Sequence, residues 1–465
     1  MKSCLALVLL LVLLLFSCKK ETSEKDRIKP WDKNPSYWQY KNKPVMLLGA
    51  SDDDNLFQWP EEMLIPHLDS MYKIGANYVR CTMSDRRDKG FELYPFFQTE
   101  NGKYDLGKWN EEYWKRFEFF LNETENRDII VQIEVWDRFD YSRGNWTLHP
   151  YNPRNNINYL FEQTGLEHEY PDHPHLNKQP FFFTTPEQRN IEVLLKYQKA
   201  YVSRLLSVSL NFNHVLYCID NETKAEEEWA VYWTEFIREK ADESGKQVCI
   251  TEMWDDWDLT AERHKRTFGH PERYAYCDIS QNNQKKGQEH WDNFQWVREY
   301  VASGPRPLNT VKTYGADGGR HGNTKDGLER WWRHVLGGAA SARFHRPDSG
   351  LGLSEYSVAS VKTAREIESV VKFWDLKPNN SLLSGREENE AFLSSIEGEV
   401  YVIFFTDGGE VTLDLNGADG TFSIRWYKIR SGKASHEGSL RGGGNIRLKA
   451  PGGLEWIALI QLKQS

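Results

Sequence analysis

Asp220, Asn221 and Glu222 close the apolar run HVLYCIDNE, setting a carboxylate, an amide and a second carboxylate side by side where a strand should stop. A carboxyl group held protonated by burial can donate a proton near neutral pH, and a neighbouring amide can orient a hydroxyl. Other apolar runs end in the same kind of mixture. The first ends in Asp52, Asp53 and Asp54, the second in Arg80 and Thr82, and the third in Glu134, Trp136, Asp137 and Arg138. Later ones end in Glu252, Trp254 and Asp255, then in Asp278, Gln281 and Asn282. The last two end in Lys312, Tyr314 and Asp317, and in Arg343, His345 and Arg346. Acceptors, donors and rings in such proximity suit a sugar, whose hydroxyls need polar partners and whose C–H faces stack on aromatic rings. The competing account is plain: strand ends meet solvent and are polar anyway. For Glu222 it is the start of a helix, NETKAEEEW, where an acid offsets the dipole.

These residues need a scaffold that collects strand ends at one face. Eight apolar runs recur: VMLLGA, NYVRCTM, DIIVQIEVW, HVLYCIDNE, QVCITEMW, YAYCDIS, NTVKTYG and AASARFH. Amphipathic stretches such as EEMLIPHLDSMYKIG and DGLERWWRHVLGG lie between them, with apolar residues at helical spacing. Alternation of this kind implies a parallel sheet, and eight units close into a (β/α)8 TIM barrel over residues 30–377. An open doubly wound sheet is the alternative, but SDDDN follows the first strand where a Gly-rich turn would be needed. One connection, between the third strand and the helix near Pro186, runs to about 50 residues rich in Asn, His, Pro and aromatics, and should wall the barrel mouth. Its His173-Pro174-His175 reads as surface groups. From residue 378 to 465 short alternating segments with Gly-rich turns replace the helices and predict a small antiparallel β-sandwich.

Aromatic residues make up 14% of the 465, enough for large cores and for binding surfaces. The formal charge of -9 offers nothing to a polyphosphate backbone, so no nucleic-acid partner is expected. Residues 1–18 form a lone Lys2, an apolar run and LFSC, too short to span a bilayer. They resemble a bacterial lipoprotein signal with Cys18 as the lipidated residue; residues 19–29 would be a tether. That predicts an outer-membrane lipoprotein, facing the periplasm or the cell surface, with a membrane contact through Cys18. Cys81, Cys218, Cys249 and Cys277 sit in apolar runs at no zinc spacing, so neither metal nor cofactor nor disulfide framework is expected.

The chain as a whole resembles the apiosidase-like glycoside hydrolases that carry a C-terminal sandwich labelled collagen-binding-like. KNKPVMLLGASDDDNLF, DIIVQIEVWDRFD, WYKIRSGKASHEG and APGGLEWIALIQL carry that resemblance. It implies cleavage of glycosidic bonds in plant or algal polysaccharide fragments, with Asn221 binding a sugar hydroxyl and Glu222 as general acid, its pKa raised by burial. Glycoside cleavage also needs a second carboxylate. The resemblance places that acid at the end of the seventh strand, where this chain has Lys312, Thr313 and Tyr314. Asp317 or Glu252 are the candidates, with Asp137 or the Asp52–Asp54 cluster positioning a water, or Tyr314 as nucleophile, as further alternatives. Asp52, Asp53, Arg80, Trp136, Asp137, Trp254, Tyr314, Arg343 and His345 are the expected substrate contacts. The bases among the strand ends extend the expectation to an anionic glycan bearing uronate or sulfate; ordinary ion pairs with the neighbouring acids are the alternative. The missing acid also motivates a second reading, a surface lipoprotein that binds glycans without cleaving them.

Overall fold

The computed structural model describes residues 24–84, 86, 89–174, 179–316 and 319–463. Cys18, His175 and Asp317 lie outside the described residues. Eight parallel strands form the barrel: β1 (Leu47–Ala50), β2 (Tyr78–Thr82), β3 (Ile130–Asp137), β4 (Val215–Asn221), β5 (Ile250–Thr251), β6 (Cys277–Asp278), β7 (Leu308–Asn309) and β8 (Ser341–Phe344). Each leads to a helix: α1 (Glu61–Ile74), α2 (Glu111–Glu125), α3 (Glu192–Ser209), α4 (Glu227–Glu243), α5 (Glu262–Phe268), α6 (Gly287–Tyr300), α7 (Thr324–Leu336) and α8 (Glu355–Val370). Strands β2 to β5 pair continuously, β6 pairs β7 and β8 pairs β1, all in parallel. The remaining seams are closed by backbone bonds: Asn77 N–H to Leu48 O at 2.8 Å, Ala275 N–H to Ile250 O at 3.1 Å and Ala340 N–H to Leu308 O at 2.9 Å.

Strands buried on both faces must be apolar throughout, which is why β3 and β4 read as near-continuous Ile, Val, Leu and Tyr runs. Three of the helices, α2, α7 and α8, begin where a polar side chain takes up free N–H groups. Asn110 accepts from Glu112 N–H at the start of α2, and Asn323 with Asp326 forms a capping box on α7. Inside the barrel, the Tyr78 hydroxyl donates to Gln132 at 2.6 Å, and the Trp38 indole to Asn309 at 2.9 Å. Trp38 belongs to a short antiparallel meander, Lys29–Trp31, Asn34–Tyr40 and Lys43–Val45, that packs ahead of β1.

The chain enters at the closed end. Arg27 donates to the carbonyls of Phe212 at 2.8 Å and Leu210 at 3.0 Å, just before β4, and Glu24 pairs with Lys246, just before β5, at 2.9 Å. The long connection after β3 is packed, with Tyr141, Trp146, Tyr151, Phe181 and Phe182 buried and the Tyr141 and Phe181 rings 4.2 Å apart. The C-terminal region forms a six-stranded and a three-stranded antiparallel sheet over a core that includes Leu393, Ile403, Leu413 and Phe422. It grips α7 and α6: Arg333 donates to Asn389 at 2.7 Å, and the Trp291 and Phe392 rings lie 5.0 Å apart. As a result α7, an exposed outer helix in an isolated barrel, is buried here along almost its whole length.

Candidate functional site

Glu222 follows the last residue of β4 with φ at +55°, a left-handed conformation that costs a non-glycine residue about 1 to 3 kcal/mol and persists only where the surroundings impose it. The surroundings are specific. Its carboxylate accepts from Lys312 Nζ at 2.6 Å, from Gln281 Nε2 at 3.1 Å and from the Tyr314 hydroxyl at 3.3 Å. Lys312 also donates to Asn221 Oδ1 at 2.7 Å, so the Asn-Glu pair and the residues after β6 and β7 form one hydrogen-bonded group. Above it opens a cavity of about 710 Å³, lined by Glu222, Tyr314 and Gln281 and, further out, by Lys224, Asp255, Asp256, Trp257, Arg320 and His321. Phe139 and His173 of the long connection complete the wall, their rings edge to face at 5.2 Å. His173, read from sequence as a surface group, is thus part of the cavity.

The charge state of Glu222 departs from the expectation of a protonated acid. Burial does push its carboxyl up, but the Lys312 ammonium outweighs it, with help from Arg80 and the Gln281 amide, and brings the pKa down to about 2. Glu222 is therefore ionised at neutral pH. Beneath it, Glu134 is fully buried and pushed up to about 7 by burial, with Arg80 and Lys312 opposing. Asp278 rises to about 6 for the same reason.

Apart from Tyr314 and Asn221, the other expected site residues that are described fall into two sets, neither of which lines the cavity. One set is an ion-paired network at the floor. Arg80 donates to Glu134 at 2.7 Å and to Asp54 at 2.9 Å, and Arg343 donates to Asp54 at 2.9 Å. His345 stands 3.7 Å from Asp54 and is held neutral by burial. Arg80 foremost, with Arg343, holds the Asp54 carboxyl well below the usual range against the effect of burial. Replacing Asp54 by Asn should therefore cost about 3 to 5 kcal/mol of stability, since it strips two buried guanidiniums of a counter-charge. Urea unfolding at pH 7 measures this, and a loss under about 1 kcal/mol would show the network to be dispensable.

The second set is turned away. Trp136 packs among Phe181, Tyr201, Trp229 and Trp233 of the outer layer, and Trp254 donates to Thr267 of α5 at 2.7 Å. Glu252 accepts the backbone N–H groups of Asp220 at 3.0 Å and Met253 at 2.8 Å, is 1% exposed, and is pushed well up by burial and Asp220. Asp52 accepts from Leu353 N–H at 2.6 Å beside His67. Asp53 is bound by the Trp59 indole at 2.7 Å and by Lys89, and Asp137 by Arg86. Of the expected site residues that are described, only Glu222 and Tyr314 line the cavity, with Asn221 joined to them through Lys312.

The rim residues Lys224, Asp256, Trp257, Arg320 and His321 went unread in the sequence, where DDWD and GGRHG were the available signals. The backbone at Tyr314 and His321 is held by Arg330 of α7, which is 1% exposed. Its guanidinium donates to Lys285 O at 2.9 Å, Tyr314 O at 3.1 Å and His321 O at 2.7 Å, pinning the loops after β6 and β7. Among the described residues no group of three or more His, Cys, Asp or Glu is placed to hold a metal ion.

The fold is that of known glycoside hydrolase structures. A glycoside hydrolase family 5 protein from Bacteroides vulgatus superposes with a TM-score of 0.64 at 12% identity, covering 94% of each chain. A second glycoside hydrolase superposes with a TM-score of 0.64 at 11% identity, covering 95% of this chain and 98% of its own. No protein-family model matches the sequence, and no curated protein does.

Proposed function

We propose that this chain cleaves glycosidic bonds at the cavity above Glu222. The observation that carries this reading is Glu222 itself: a strained, left-handed carboxylate aimed into a walled cavity by three separate donors. Being ionised, it suits the role of base or nucleophile, the half of glycoside chemistry that needs negative charge. Asp255 and Asp256 are the other carboxyl groups among the described residues that line the cavity. The test is a panel of neutral and charged plant and algal oligosaccharides, with products weighed by mass spectrometry, for wild type and Glu222→Gln. A shortened product from wild type alone supports the reading.

One observation favours a second reading, glycan binding without cleavage. Lys312 makes an ion pair with Glu222 where two facing carboxylates would make an acid–base pair. Binding of an oligosaccharide that is never shortened would select it.

The location we propose is a membrane surface reached through lipid on Cys18, on the strength of the apolar run ending in Ser17-Cys18 and the charged residues after it. Cys18→Ala should then abolish labelling by a lipid precursor and release the protein into the soluble fraction; labelling that persists would remove the anchor.

A further inference from the structure

Among the described residues, Arg320 is the cation at this cavity that no acid answers. Each other charged group on the described wall has a partner. Glu222 is met by Lys312 at 2.6 Å, Lys224 faces Asp255 at 3.9 Å, and Asp256 takes the Asp258 N–H at 3.1 Å. The deeper bases that suggested an anionic ligand are occupied: Arg80 by Asp54 and Glu134, Arg343 by Asp54, and Arg346 by Asp348 at 2.9 Å. Arg320, exposed at the rim, instead lies over the Trp257 indole, 5.2 Å from the ring centroid. Trp257 is 49% exposed, far more than a core tryptophan.

This pair is continuous with the carboxylate. The Tyr314 hydroxyl reaches Glu222, the Tyr314 ring lies 4.3 Å from that of His321, and His321 is the neighbour of Arg320 in the chain. Arg330 holds the His321 carbonyl, so the backbone beside Arg320 is fixed rather than free to follow its side chain. A guanidinium resting on an aromatic face keeps its N–H edges in a flat fork, unspent and partly ordered before any ligand arrives. That fork matches two oxygens of a carboxylate or sulfate.

We propose that Trp257 and Arg320 form a rim subsite for an anionic sugar unit, one carrying a carboxylate or a sulfate ester, in a glycan whose neighbouring bond lies at Glu222. The open part of the indole takes a C–H face of the sugar and Arg320 takes its charge. This rests on the glycan reading above and adds to it the class of substrate.

The test uses the full chain and calorimetric binding at low ionic strength. Three probes are compared: a uronate tetrasaccharide, its carboxyl-reduced neutral counterpart, and a sulfated tetrasaccharide. Wild type should bind at least one charged probe about ten-fold or more tightly than the neutral one, the scale of one charge-assisted hydrogen-bonded pair. Arg320→Gln should bring that probe to parity while leaving neutral binding in place, and Trp257→Ala should weaken all that bind. The relative strength of the uronate and sulfated probes tells which anion the fork prefers. Equal binding of charged and neutral probes by wild type overturns the subsite alone, as does a charge preference that survives in Arg320→Gln. Failure of wild type to bind any of the three overturns the subsite together with the glycan reading.

Discussion

Glu222→Gln should keep its fold and lose about 10²- to 10⁴-fold in rate on any glycan the wild type cleaves. The amide has the same shape, can keep the left-handed backbone, and still offers an oxygen to Lys312, Gln281 and Tyr314. What it lacks is charge. Because the carboxylate is ionised in the resting protein, with its pKa brought to about 2, the loss should be as large for an activated nitrophenyl glycoside as for a natural linkage. A good leaving group removes the need for an acid, not for a base or nucleophile. Adding azide or formate to Glu222→Ala should restore part of the rate if the carboxylate attacks carbon directly, since a small anion can occupy the vacated space. A loss confined to the natural linkage would show that Glu222 is an acid after all. Full activity in both variants would remove it from the chemistry.

Lys312→Met should produce the opposite electrostatic state. With the ammonium gone, burial acts on Glu222 against only Arg80 and Gln281, and its pKa should climb from about 2 to above the ordinary 4.5. A carboxyl carbon titration by NMR, assigned by its loss in Glu222→Gln, reads this directly. The stability follows with a definite sign. In the wild type the folded pKa lies below the unfolded one, so the pair contributes stability that is complete above about pH 4.5 and lost as the pH falls toward 2. In the variant the folded pKa lies above, and stability is lost as the pH rises past 4.5. The gap between the two proteins should narrow as the pH falls toward 2 and reach about 3 to 5 kcal/mol at pH 7, the cost of a buried charge left alone. A gap that does not change with pH would mean that Lys312 does not set the ionisation of Glu222. Activity then separates the readings: a base or nucleophile should fail near neutrality in the variant, whereas an acid should gain.

The barrel was legible because each of its strands is an apolar run bounded by polar residues, and pairing confirmed all eight of them, down to β5 and β6 with two paired residues each. The sandwich was legible for the same reason. The candidate site was legible at two points, Glu222 and Tyr314, because the end of a strand can be read from local pattern. Which way a side chain leaves that end cannot be read locally. Trp136 and Trp254 stand next to acids in the chain, yet their rings fill spaces between strand and outer helix. Nor does local pattern carry charge state. The pKa of Glu222 is set by Lys312, 90 residues further along, so a reading based on burial alone put it on the wrong side of neutrality. Trp257 and Arg320 lie in aperiodic loops brought together only by the closure of the barrel.

The point at which the chain enters the barrel has a geometric consequence. Glu24 and Arg27 are fastened beneath the starts of β4 and β5, whereas the cavity opens beyond the other ends of those strands. A leash attached upstream of Glu24 therefore pulls on the pole opposite the opening. With lipid on Cys18, as proposed, the anchor would act on that pole. The closed pole would ride against the bilayer while the opening looked outward, accepting long chains from the medium and discriminating against anything embedded in the same membrane.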